Sequence, residues 1–184
     1  MRKKHALVIG GTGMLSDVTI WLNKKGYHVT VIGRRNETYQ RLMSKVKFPK
    51  SITSLLVDYH DTDMLKELLL ERIEKDGPIE VVVSWVHSSA PEVNPTVLAL
   101  LDSFTKDNYH FFHVKSSTSS IHKQKPKVPV SGHYYEIYLG FKIIGNHSRW
   151  LTHQEISQGV IDAIHHKRAQ TIVGQLEPWE KRPH

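Results

Sequence analysis

Three glycines between an apolar run and an amphipathic one are the first residues in this chain that can do chemistry. In HALVIGGTGMLSDV, Gly10, Gly11 and Gly13 follow the run at 6–9 and precede a segment with helical spacing. Backbone without side chains at these points turns sharply and brings its N–H groups, at a helix N-terminus, up to a pyrophosphate. Thr12, Met14 and Leu15 complete the turn and belong with the glycines to the expected cofactor-binding set. Ser16 stands where a dinucleotide turn usually has a third glycine, and its side chain is small enough for the helix to pack on the strand. The second apolar run, HVTVIGRR, ends in Arg34 and Arg35. A carboxylate at that point accepts the free 2′-hydroxyl of NAD, whereas guanidinium groups pair with a 2′-phosphate through charge-assisted bonds, so NADP is expected in preference to NAD.

For such residues to meet, strands and helices must alternate. Apolar, β-prone runs cover 6–9, 28–32, 54–57, 79–85, 109–114, 134–143 and 171–173, and helical spacing covers 14–25, 37–46, 63–75, 96–105 and 152–165. Thr152 and Glu155 have the spacing of a capping box, Asp61 stands as a cap before TDMLKELL, and Gly26 and Gly77 stand at helix stops. Continuous runs such as IEVVVSW suit a parallel sheet covered on both faces. The expected fold is therefore a single α/β domain, a doubly wound, Rossmann-like parallel sheet of about seven strands. Its ligands are expected at the carboxyl ends of the strands. One connection breaks the alternation: residues 119–133 are read as a flexible loop, because Pro126 and Pro129 interrupt any crossover helix. Lys123, Lys125 and Lys127 in that loop suit an acidic substrate or a phosphate, and residues 177–184 are read as a C-terminal tail.

Composition narrows the function classes. With no Cys in 184 residues, thiolate nucleophiles and Cys-bound zinc are excluded, and a reducing cytoplasm is expected. The net charge of +7 is spread over Lys and Arg interleaved with acids. That pattern attracts a phosphate-rich small molecule and does not read as a nucleic-acid surface. There are 13 His but no HExxH, and the adjacent His165 and His166 diverge on a helix, so no metal is expected. No run reaches the length of a membrane span. A small-molecule substrate is the expected partner, and a homo-oligomer is left open. Two imidazoles lie near the expected cleft: His87, after the fourth run, is a candidate proton donor, and His113, inside the fifth, is taken as structural. Asn146, His147, Ser148 and Arg149 read either as a polar substrate rim or as helix-entry chemistry with Trp150 or Leu151 as a staple.

The stretches VIGGTGMLS, VIGRR and LLVDYHDTDML resemble the short-chain dehydrogenase/reductase superfamily, well over about 5–118 and loosely beyond. The resemblance implies that Asp58, with Tyr59 after it, holds the adenine and that Ser84 and Trp85 border the nicotinamide ribose. It also places Ser116 and Ser117 where the family has its catalytic Ser. SWVHSSAP departs from the family's Asn-Ala-Gly pattern, so backbone contacts are expected there. Tyr138 and Lys142 in YLGFK have the spacing of the family's Tyr-x-x-x-Lys pair, in which a Tyr acidified by an ammonium protonates a carbonyl oxygen. That pairing needs a helix, yet HYYEIYLGFKII, with Gly140 inside, reads as a strand, on which the two residues stand about 13 Å apart. Two functions follow. One is an NADP-dependent oxidoreductase acting on a small carbonyl or hydroxyl compound, with Ser116, Ser117, His87 and Tyr138 as the catalytic candidates. The other is a non-catalytic NADP-binding sensor or regulatory protein.

Overall fold

The computed structural model describes residues 4–104, 109–120 and 131–184. Seven parallel strands form one sheet in the order β3-β2-β1-β4-β5-β6-β9, with β1 Lys4–Ile9, β2 Tyr27–Gly33, β3 Ile52–Leu56, β4 Ile79–Trp85, β5 His110–Ser116, β6 His133–Leu139 and β9 Gln170–Val173. The strand order reverses between β1 and β4, which puts the topological switch point beside the glycine turn. The helices are α1 Ser16–Lys24, α2 Asn36–Met43, α3 Thr62–Asp76, α4 Val93–Phe104 and α5 His153–His166.

Strand alternation divides the core into two layers. Along β1, Ala6 and Val8 face α1, α2 and α5, whereas Leu7 and Ile9 face α3 and α4. All four are fully buried. The valine, leucine and isoleucine side chains among them contribute about 1.5–3 kcal/mol each by leaving water, so β1 is a rigid base for the turn that follows it. Both expected caps form: the Asp61 side chain accepts from Met64 N, and Thr152 and Glu155 make a reciprocal capping box.

Two expectations need correction. The run 134–143 is not one strand. It breaks at Gly140, where a Cβ would stand 2.1 Å from the Gln175 carbonyl oxygen, so the C-terminal segment approaches closer than any side chain allows. Beyond the break, Phe141–Ile144 (β7) pairs antiparallel with His147–Trp150 (β8). The stretch read as a rim or helix entry is thus half of a hairpin, turned at Gly145 with φ 60°. The polar alternation of HSRW hid this strand because no apolar face marks it. The Lys- and Pro-rich loop reading falls mostly on 121–130, outside the described residues, as does the end of the fourth expected helix at Thr105.

Candidate functional site

The glycine turn runs from β1 into α1. Gly10 has φ 82°, which a side chain rarely adopts, and a Cβ there would meet the Trp85 carbonyl oxygen at 3.1 Å. A Cβ on Gly11 would lie 2.6 Å from Thr19 Oγ1. These two glycines make the turn and seat it on the sheet. Gly13 is different: it is exposed, and a Cβ on it would meet nothing within 4 Å. Thr12 packs against Gly33 at the end of β2, and its hydroxyl accepts from Thr38 at 3.2 Å. Ser157 on α5 donates to the Met14 carbonyl at 3.1 Å, tying α5 to the turn, and Leu15 is buried below. The turn fits a dinucleotide, since its only unhindered glycine, among Gly10, Gly11 and Gly13, is the one open to solvent.

Arg34 and Arg35 are exposed at the end of β2. The Arg34 guanidinium lies 5.9 Å from the centre of the Tyr59 ring. Asp58 accepts from the His60 ring at 2.6 Å and from the His60 N–H at 3.1 Å. Those bonds, with lesser help from Arg34, hold its carboxyl below the usual carboxylate range. The structure therefore brings Arg34, Asp58 and Tyr59 together on the β2–β3 side of the turn.

Two pockets open on the other side. The smaller, about 340 Å³, lies among Trp85, Ser116, Ser117, Gly140, Trp150 and Arg182. The larger, about 840 Å³, is lined by Trp85, His87, Asn94, His113, Lys115, Ser116 and Tyr134, among others. Ser116 faces both and shares its hydroxyl with Thr118 at 2.8 Å, while Ser117 is buried, its carbonyl accepting from Ser120 at 2.6 Å. His87 is exposed; its Nδ1 accepts from Ser89 N at 3.2 Å, and its N–H reaches the Tyr59 hydroxyl at 3.4 Å. Ser84 is fully buried and donates to Asn94 at 2.6 Å, so it supports the cleft from below instead of lining it.

Tyr138 and Lys142 do not pair. Tyr138 donates to Glu136 at 2.8 Å, and burial with the Glu136 charge pushes its hydroxyl up to about 12, opposite to the acidification a catalytic phenol needs. Lys142 is bound to Glu155 at 2.6 Å. Glu155 also takes both Arg149 nitrogens, at 2.8 and 3.0 Å, and those bonds hold it far below the usual carboxylate range, Arg149 first and Lys142 second. Of the residues read as a rim, Arg149 thus ties the hairpin to α5, together with Lys142.

Sequence reasoning missed Asn94, Lys115 and Tyr134 and set His113 aside as structural. The signal was available: in HFFHVKS, period two puts His113 and Lys115 on one face, and HYYEIYL does the same for Tyr134 and Glu136. It missed Arg182 too. The segment read as a tail returns to the smaller pocket, with the guanidinium 4.5 Å from the centre of the Trp179 ring and 5.9 Å from that of Trp150. Among the described residues no cluster of His, Asp and Glu suits a metal ion, and no helix is long and apolar enough to cross a membrane.

No family model matches the sequence, and no curated protein matches it significantly. Solved structures do match in fold. A protein assigned to the short-chain dehydrogenase/reductase family from Aeromonas hydrophila aligns over 94% of this chain and 98% of its own, with 15% identity and a TM-score of 0.65. YwfH, an NADPH-dependent reductase of bacilysin biosynthesis, aligns over 94% and 100%, with 10% identity and a TM-score of 0.73. ElxO, solved with NADP bound, aligns over 64% and 57%, with 18% identity and a TM-score of 0.52. The chain has the fold of the short-chain dehydrogenases/reductases.

Proposed function

We propose that this chain is an NADP-dependent oxidoreductase acting on a small carbonyl or hydroxyl compound. The observation that carries the reading is the position of Trp85, which abuts Gly10 of the turn and lines both pockets. A phosphate-binding turn and two substrate-sized pockets are thereby one continuous surface at the carboxyl ends of β1, β4 and β5, where ligands of doubly wound sheets lie. Gly10 to Leu15 would hold the pyrophosphate, Arg34 and Arg35 the 2′-phosphate, and Asp58 and Tyr59 the adenine. The bound cofactor supplies the hydride, and the protein's part is to orient the substrate and exclude water. The NADPH-dependent reductase and the NADP-bound protein among its structural neighbours support this reading by analogy of fold.

A second reading, a non-catalytic NADP-binding protein, is favoured by the diversion of Tyr138 and Lys142 into separate ion clusters. Mixing the protein and NADPH with a panel of aldehydes, ketones and quinones, and following NADPH absorbance, separates the two. Turnover with stoichiometric formation of the alcohol, or of the hydroquinone from a quinone, is expected. Tight NADPH binding with no member of the panel reduced would contradict the first reading and favour the second.

A further inference from the structure

The smaller pocket carries one cation that the dinucleotide site does not use. Trp85, Leu139, Trp150, Leu151 and Ile156 give it apolar walls, and Arg182 is the only charged residue in its lining. Of its hydroxyls, those of Ser116 and Thr118 satisfy each other at 2.8 Å, and Ser117 is buried. A volume of about 340 Å³ is enough for a small molecule.

The fold fixes Arg182 beside this pocket. Gln175 exchanges both backbone hydrogen bonds with Phe141, each at 3.0 Å, which anchors the C-terminal segment on β7. A short 3-10 turn over Trp179–Lys181 follows, and the Arg182 N–H donates to the Trp179 carbonyl at 3.1 Å. The guanidinium then lies against two indoles, 4.5 Å from the centre of the Trp179 ring and 5.9 Å from that of Trp150. Those contacts hold the cation in place but give its N–H donors no acceptor. No carboxylate among the described residues supplies one. Glu155 is taken by Lys142 and Arg149, and Glu177 accepts the Trp179 N–H at 3.2 Å.

A planar fork of donors, a single positive charge and apolar walls together match a carboxylate on an apolar body. The two indoles of the wall favour an aromatic body, which stacks on them. A phosphate dianion would keep charge uncompensated against those walls, and an oxidised nicotinamide ring, itself positive, would be repelled by Arg182. We propose that the smaller pocket binds an aromatic monocarboxylic acid, its carboxylate paired with the Arg182 guanidinium and its ring between Trp85 and Trp150. The site stands whether or not the chain is an oxidoreductase.

Trp85, Trp150 and Trp179 are three of the chain's four Trp, so intrinsic fluorescence reports on this site. Titration of the full chain with phenylacetate should give a saturable change. Phenylacetamide, uncharged and nearly the same shape, should bind at least about 10-fold more weakly. Arg182→Gln should weaken phenylacetate roughly 10- to 100-fold, the effect of a lost charge-assisted hydrogen bond, and remove the preference for the acid. Arg182→Lys keeps the charge and should retain that preference, which separates loss of the cation from loosening of the C-terminal segment. Saturating NADP should leave phenylacetate bound. The proposal is overturned by no saturable change, by equal affinity for acid and amide, by unchanged binding in folded Arg182→Gln, or by displacement with NADP. A chain that binds phenylacetate through Arg182 but binds no NADPH retains this site and removes the oxidoreductase reading, whereas NADPH binding without a phenylacetate site does the reverse.

Discussion

Gly13→Val separates a glycine that serves the ligand from one that serves the turn. Gly13 is exposed, its φ lies outside the left-handed region, and a Cβ on it touches no protein atom within 4 Å. A valine there should cost the fold less than about 1 kcal/mol, as surface substitutions do. For a chain of this size that moves the melting temperature by no more than about 2–4 °C. Gly11→Ala is the contrast. Its Cβ would stand 2.6 Å from Thr19 Oγ1 and 2.8 Å from Val8 Cγ1. Neither atom moves freely, because Thr19 donates to the Gly11 carbonyl at 3.0 Å and Val8 is fully buried in β1. Overpacking of that kind costs about 1–3 kcal/mol, a fall of about 2–12 °C. For NADPH the order reverses. If the turn holds the pyrophosphate as proposed, a branched side chain at Gly13 would stand in its way, and the dissociation constant should rise at least about 100-fold, near 2.7 kcal/mol. Thermal melts and fluorescence titration of both variants check this. A stable Gly13→Val protein that binds NADPH as tightly as the unmodified chain would refute the assignment of the turn.

Three further outcomes are expected. Replacing Arg34 and Arg35 by Ala should weaken NADPH by about 1–3 kcal/mol and leave NADH unchanged, as a lost 2′-phosphate contact requires; an equal loss for both cofactors in competition titrations would contradict it. His113 is lowered in the fold to about 4 from an ordinary value of 6.5, so the unfolded chain binds more protons between those values and stability rises with pH through that window. The gain is about 3 kcal/mol from His113. His110, also lowered to about 4 by burial and Lys167, adds to the same slope, so denaturant unfolding from pH 4 to 6.5 should flatten but not become level in His113→Gln. An unaltered slope in that variant would show that His113 is not held neutral. Tyr138→Phe removes a hydroxyl bound to Glu136, away from both pockets; any NADPH-dependent reduction should stay within a few-fold of normal, and a loss of about 100-fold or more would restore Tyr138 as the general acid.

The sheet was legible because its strands carry their own signal. Ala6 to Ile9 and Val81 to Val83 are apolar on both faces, the pattern of strands in a parallel sheet covered on both sides. Asp61 and Thr152 marked helix starts through local hydrogen bonds, which sequence spacing encodes directly. The glycine turn and Arg34 were likewise legible from their places next to β1 and β2. What escaped was non-local. Gly140 breaks a strand because Gln175, 35 positions later, crowds it. Tyr134, His113, Asn94 and Ser84 meet only once β4, α4, β5 and β6 are assembled, and no two of them are neighbours in the chain. The YLGFK spacing drew attention to Tyr138, whereas the phenol that lines the cleft is four residues earlier on the same strand face.

Calorimetric titration of the unmodified chain with NADPH and with NADH tests the central claim most directly, because the glycine turn, the two arginines and the adjoining pockets all bear on it. The account predicts one-to-one binding of both, with NADPH tighter by about 1–3 kcal/mol through its 2′-phosphate. Equal affinities would contradict the role given to Arg34 and Arg35, and no binding of either cofactor would contradict the dinucleotide site itself.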